Sequence, residues 1–284
     1  MITLRLKLFI IVILVVGLAL VGIFSFTLLK KAPVEYSETS TPRKPINLGS
    51  LESCKLTVVV DNYKDSGLEA TWGVSIFAET PSARILFDTG PDPGVLERNL
   101  RRLGIDPNEI DFVVISHEHG DHVGGLSYLA EVRPGMKVYV PRGVAGKLKI
   151  PNLEIIEVDN TTKIAEGIAV IGWLYGPPVE QALAINVKDV GLIILVGCSH
   201  PGVVNITSKA MRDLGIKPYL VIGGFHMGGA SSATCREVVQ HLLDLGVKKI
   251  ASIHCSGERI RLILKQEFPE NWLECHVGSR IELP

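Results

Sequence analysis

Hydrophobic positions fall into three regimes along the chain. From Leu8 to Leu29 they are nearly unbroken: 22 residues without a charge, of which 17 are Leu, Ile, Val or Phe. From residue 31 to about 52 no period is visible, and Pro33, Pro42 and Pro45 mix with Ser, Thr and Glu. Beyond that, short apolar runs bounded by turn residues alternate with stretches in which apolar residues return every three or four positions.

The first regime predicts one N-terminal transmembrane helix. At ~1.5 Å per residue it spans about 33 Å, enough for a hydrocarbon core of roughly 30 Å. It is long for a signal peptide, and it ends in Leu28-Leu29-Lys30-Lys31 with no small-x-small cleavage site. Arg5 and Lys7 flank one side, and Lys30, Lys31, Arg43 and Lys44 the other. The charge count leans toward a single-pass membrane protein with a cytoplasmic C-terminal part, although the short basic tail fits either side. The expected organisation is an anchor over residues 1-30, a linker over 31-52 and a folded domain over 53-284.

Within that domain the periodicity is β-rich first and then alternates. Short strands are expected around residues 55–61, 73–79, 84–88 and 111–116, with a helix over 93–103 that Gly104 stops. Further strands follow to about residue 196, the last two paired as a hairpin across Lys188-Asp189-Val190-Gly191. The final third reads as helix 203–214, strand 219–222, helix 233–245, strand 249–253 and helix 258–268. Two packed sheets with helices on their outer faces fit this order.

Composition narrows the class. Lys and Arg number 29 against 30 Asp and Glu, a formal net charge of −1 that argues against nucleic-acid binding through a broad basic face. Five cysteines are too few and too scattered for a disulfide scaffold.

The candidate chemistry lies in the histidines. Six of the eight stand in small-residue turns, most directly after an apolar run: His117, His119, His122, His200, His226 and His254. His241 and His276 lie elsewhere and read as surface or packed residues. The sharpest signal is Ser116-His117-Glu118-His119-Gly120-Asp121-His122. In an extended segment His117 and His119 project the same way, so both imidazoles can reach one metal. Gly120 then lets the chain turn Asp121 and His122 toward a second position. Imidazoles with one carboxylate suit Zn²⁺, and also Mn or Fe.

His-x-His-x-Asp-His after a strand, with Phe87-Asp88-Thr89-Gly90 upstream and Gly124-Gly125-Leu126 downstream, resembles the metallo-β-lactamase superfamily over roughly residues 54–284. The resemblance implies an α/β fold, a four-layer αββα sandwich with a one- or two-metal site at the edge between the sheets. It makes residues 53-284 a catalytic domain. Other segments resemble one branch of that superfamily: Trp72-Gly73-Val74-Ser75, Asn99, Glu180-Gln181-Ala182-Leu183, Gly197-Cys198-Ser199-His200-Pro201-Gly202, Gly223-Gly224-Phe225-His226 and His254-Cys255-Ser256-Gly257. That branch is named after 7,8-dihydropterin-6-methyl-4-(β-D-ribofuranosyl)aminobenzene 5′-phosphate synthase, a transferase.

The resemblance also implies roles. His254 matches the superfamily's last histidine ligand. The run Gly191–Val196 continues into Gly197-Cys198-Ser199-His200, without the Gly-Asp that many members use to bridge two metals. His200 or Cys198 stands in the place of that ligand. The expected metal residues are therefore His117, His119 and His200 for one ion, and Asp121, His122 and His254 for a second. Asp88 and Cys198 are expected behind them, Asp88 accepting a hydrogen bond from a ligating histidine. Asp121 is the candidate for taking or returning a proton, and His226 for binding metal or contacting a phosphate. The cofactor is expected to be one or two divalent metals, Zn first. The partners are expected to be a small phosphorylated substrate and, through the anchor, a membrane, with no nucleic acid. The expected reaction is hydrolysis or transfer on a phosphorylated or pyrophosphorylated pterin-like molecule. The alternatives are a phosphodiesterase or lactonase-type hydrolase, and a membrane-tethered metal-binding sensor without turnover.

Overall fold

The computed structural model describes residues 44–64 and 67–284. Among these residues no helix is long and apolar enough to cross a membrane, and the Leu8–Leu29 segment lies outside them. Residues 44–52, assigned above to the linker, lie against the second sheet. Leu48 and Leu51 are buried, and the Ile46 amide donates to the Asp213 carbonyl.

Among the described residues, thirteen strands form two sheets. The first contains β1 (Cys54–Val60), β2 (Ser75–Glu79), β3 (Arg84–Phe87), β4 (Phe112–Val114), β5 (Met136–Pro141) and β6 (Leu153–Val158), with the last strand, β13 (Arg280–Leu283), beside β1. The second contains β7 (Thr162–Ala165), β8 (Ile168–Tyr175), β9 (Val179–Val187), β10 (Gly191–Val196), β11 (Pro218–Gly224) and β12 (Lys249–Ile253), in the order β12-β11-β10-β9-β8-β7. The expected hairpin is present: β9 and β10 pair antiparallel with Gly191 opposite Val187.

Central strands such as β3 and β10 are apolar on both faces because both faces are covered, so alternate residues serve different layers. In β10, Ile193 and Leu195 enter the cluster between the sheets, whereas Leu192, Ile194 and Val196 enter a second cluster. That second cluster packs helices α4 (Val203–Leu214), α5 (Ser232–Asp244) and α6 (Glu258–Glu267) on the sheet. In β3, Ile85 and Phe87 face the partner sheet. Leu86 faces the helices α1 (Pro93–Leu103) and α3 (Leu126–Val132), which contribute Leu96, Leu100, Leu126 and Leu129. The result is helix, sheet, sheet, helix. Helix α1 begins where the Asp92 carboxylate accepts from the Val95 amide and ends at left-handed Gly104 (φ 73°).

Strand direction places the functional residues. β3, β4, β5 and β6 run parallel to one another, as do β10, β11 and β12. Asp88, Ser116, Cys198, His226 and His254 stand one or two residues past the carboxyl ends of β3, β4, β10, β11 and β12. Carboxyl ends of parallel strands are where open α/β sheets present ligand-binding groups.

Candidate metal centre

Chain geometry builds the first half of the site. After β4 the backbone bends at Glu118 and returns to an extended conformation at His119 (φ −66°, ψ 147°), and the four-residue helix α2 (Gly120–Val123) follows. His117 and His119 share a side, with His117 Nε2 3.1 Å from His119 Nδ1. Helix α2 turns Asp121 and His122 the other way, toward β12. Gly124 must lack a side chain, because a Cβ there would run into the Pro91 backbone. That close approach seats the turn after the motif against the Asp88–Gly90 loop.

Four histidines have one ring nitrogen tied to a partner and the other directed inward. His117 Nδ1 lies 2.9 Å from Ser116 Oγ, and His122 Nδ1 lies 2.7 Å from Asp88 Oδ2. His200 Nδ1 lies 2.9 Å from Glu180 Oε2, and His254 Nδ1 lies 3.1 Å from Asn62 Oδ1. Each tie holds a ring orientation and presents Nε2 to the centre. Asp88, fully buried, also accepts from the Ser116 amide and hydroxyl at 2.7 Å each.

The second sheet supplies the rest. At Gly197 a Cβ would strike Ser116 Oγ and lie 3.0 Å from Glu180 Oε1, so only glycine lets β10 end against the histidine motif. Cys198 follows, with Sγ 3.3 Å from His122 Nε2 and 3.4 Å from His254 Nε2. Asp121 Oδ2 lies 3.3 Å from His254 Nε2 and 3.7 Å from His122 Nε2. The exposed His226 ring stacks obliquely on His200, with centroids 4.7 Å apart. Asp88, Ser199, His226 and His254 all adopt left-handed φ, between 50° and 60°. Non-glycine residues in that region are strained, and such strain concentrates at functional sites.

The electrostatics suit a cation. Burial and the surrounding imidazoles push His117 well below its ordinary value, and burial likewise lowers His119 and His254. Neutral imidazole is the form that binds metal. Burial acts downward on His122 as well, but the charges of Asp88, Asp121 and Glu180 outweigh it and hold His122 above. Burial acts upward on Asp121, yet its contact with His254 and the neighbouring imidazoles keep it ionised far below the usual carboxylate range. The neighbouring Cys255 thiol and burial push the Cys198 thiol up.

The donor set fits a divalent metal. Asp121, His122, Cys198 and His254 each offer a donor atom within 4.8 Å of the others, and so do His117, Cys198 and His200. The closest donor pairs stand 3.1–3.4 Å apart. Ligands of a tetrahedral ion with bonds of about 2.0–2.3 Å stand roughly 3.3–3.6 Å apart. Cys198, His226 and Cys255 form a third such set.

All nine residues named from the sequence lie at this centre. Cys198 is the one placed differently: its sulfur stands among the donor atoms, not behind them. His119 lies beside His117 and outside the tight sets. Glu118 turns away to Lys147, at 2.5 Å. Sequence reasoning missed Ser116, Asn62, Glu180 and Asp61 as parts of the site. Asp61 accepts from the His254 amide at 2.8 Å, and burial raises its carboxyl to about 6. Ser116 and Glu180 stood inside quoted motifs without a role, and for Asn62 and Asp61 the only signal was a polar residue just after an apolar strand.

Known proteins resemble this chain in sequence and in fold. A family profile described as the beta-lactamase superfamily domain matches residues 83–170. The chain is 28% identical to the 7,8-dihydropterin-6-methyl-4-(beta-D-ribofuranosyl)-aminobenzene-5'-phosphate synthase of Methanocaldococcus jannaschii, covering 84% of this chain and 99% of that one. It is similar to the crystal structure of Tm1679, a metal-dependent hydrolase of the beta-lactamase superfamily, at 26% identity and a TM-score of 0.68, over 81% of this chain and 99% of that one. The metallo-beta-lactamase fold protein YhfI from Bacillus subtilis shares the fold at 14% identity and a TM-score of 0.57.

Proposed function

We propose that this chain, a metal-dependent enzyme of the metallo-β-lactamase superfamily, transfers a pterin-like methylene group from pyrophosphate to an aminobenzene acceptor. The observation that carries this reading is the convergence of imidazole, carboxylate and thiol donors beside an exposed aromatic ring. Trp72 is 59% exposed, and its ring centroid lies 5.0 Å from that of His254. An exposed indole next to a cation-binding centre is a platform for a flat heteroaromatic ring whose charged leaving group reaches the metal. The likeness to the M. jannaschii synthase over most of both chains supports the same substrate class.

His117, His119 and His200 would hold one divalent metal, and Asp121, His122 and His254 a second, with zinc favoured by the imidazole-rich set. Such metals supply Lewis-acid polarisation and neutralise the charge that develops on a phosphoryl leaving group. The chain's own residues do the rest. Ser116, Asp88, Glu180 and Asn62 hold the imidazoles in register, so the donors need no reorganisation during the reaction. Trp72 orients the ring. The exposed His226 imidazole can donate to a phosphate oxygen. The C–O bond to pyrophosphate breaks as the acceptor bonds to the methylene carbon, and Asp121 Oδ1, the oxygen not directed at His122 and His254, would relay the proton the acceptor loses to solvent.

Pyrophosphate release distinguishes transfer from hydrolysis. With pterin pyrophosphate and ribofuranosylaminobenzene phosphate, release is expected only when both are present. Release without the acceptor would overturn the transferase assignment. It would leave a hydrolase, the reading that the likeness to Tm1679 favours.

Trp72→Ala probes the platform separately. Loss of one aromatic stacking contact is worth about 1 kcal/mol, so KM for the heteroaromatic substrate should rise about five-fold with kcat little changed. An unaltered KM would mean that Trp72 does not touch substrate.

A further inference from the structure

We propose that Cys198 joins the two half-sites, its sulfur bridging two divalent ions, one held with His117 and His200 and the other with Asp121, His122 and His254. The inference rests on the metal-centre reading above and adds the atom that makes the centre one unit. Three observations carry it. Among the described residues, Cys198 is the only donor that belongs to every cluster of metal-binding side chains. Asp121, the single carboxylate in the same clusters, belongs to one.

The second observation is aim. Cys198 Sγ is 3.3 Å from His122 Nε2 and 3.4 Å from His254 Nε2, and both imidazoles are held from behind through Nδ1. The sulfur is itself held by its surroundings. Cys198 is 4% exposed, and the next residue is pinned twice: its amide donates to Glu180 Oε1 at 2.7 Å and its hydroxyl to the Gly224 carbonyl at 2.7 Å.

The third is charge balance. Four neutral imidazoles and one carboxylate leave two adjacent dications almost uncompensated. Repulsion between dications is four-fold that between unit charges at the same separation. An anion between them offsets that repulsion, and a thiolate sulfur has lone pairs for both. The thiol proton leaves to solvent as metal enters.

The test is cobalt(II) loading of the full chain in mild detergent, read by metal per chain and by near-ultraviolet sulfur-to-cobalt charge-transfer absorption. Two equivalents should bind, each adding charge-transfer intensity, with magnetic coupling between the ions. Cys198→Ser should lose the band and bind the second equivalent roughly 10–100-fold more weakly. Cys235→Ser, at a buried cysteine on α5 in none of these donor sets, should keep both properties. Cys198→Asp, which retains a bridging anion, should bind two cobalt ions without the band. Two cobalt ions with intensity from only one equivalent would overturn the bridge, and so would a band that survives Cys198→Ser. One cobalt ion per chain would also overturn it while leaving the metal centre standing. Failure of the folded chain to bind any cobalt would instead overturn the metal-centre reading itself. The wild-type titration decides the question even where a variant fails to fold.

Discussion

Replacing Glu180 with alanine is expected to lower the thermal midpoint by about 10 °C and to loosen metal binding at the His117/His200 half. Glu180 lies near the start of β9 and is 1% exposed. Its Oε1 accepts from the Ser199 amide at 2.7 Å, and Oε2 accepts from the His200 amide at 2.8 Å and faces His200 Nδ1 at 2.9 Å. Alanine leaves these donors buried without an acceptor. Each such loss costs about 1–3 kcal/mol, and breaking a buried charged network costs about 3–5 kcal/mol in all. For a domain of this size each kcal/mol moves the midpoint by roughly 2–4 °C. Ser199 sits at φ 60°, a conformation that persists only when its surroundings impose it. Without Glu180 the loop relaxes and His200 loses its orientation, which should cost roughly 10–100-fold in metal affinity. Calorimetry with a metal titration checks both effects. A midpoint within a degree or two of wild type, with unchanged affinity, would remove Glu180 from its positioning role.

Asp88→Asn isolates a charge from a shape. Asp88 has φ 55°, which asparagine tolerates, so the backbone need not move. The amide oxygen can still accept from the Ser116 amide, as Asp88 Oδ1 does at 2.7 Å. The amide nitrogen then faces His122 Nδ1, where Asp88 Oδ2 stood at 2.7 Å. Two donors cannot share that contact, so His122 must move its proton to Nε2, the atom that faces Cys198 and Asp121. The lone pair needed for a metal is lost. We expect affinity at the Asp121/His122/His254 half to fall about 10–100-fold, with the His117/His200 half largely kept. Metal content after dialysis should drop from two per chain toward one, and turnover should fall with it. NMR of the His122 ring nitrogens reports the tautomer directly. Retention of Nδ1–H in the variant would refute the argument whatever happens to activity.

Much of the layered architecture was legible because its cause is local. Residues 85–87 and 192–196 read as unbroken apolar runs because both faces of β3 and β10 are covered. Helix α1 announced its end at Gly104, which does adopt the left-handed cap. Elements without such a signature were not found. Strands β7 and β13 are edge strands with exposed and half-buried residues, and helices α2 and α3 are too short to show a period.

The same division runs through the site. The sequence by itself determined that His117, His119, Asp121 and His122 lie close together, since one strand end and one turn of helix place all four. It also marked His200, His226 and His254 by their position after apolar runs. Only the tertiary structure decided which of them face one another, what holds each ring, and that the Cys198 sulfur stands at the centre. Glu180 lies 20 positions from His200, and Asn62 lies 192 from His254. Periodicity follows from backbone geometry within a few residues, so it can be read along the chain. A buried hydrogen bond across such separations exists only once the two sheets have paired and packed, and no local pattern encodes it.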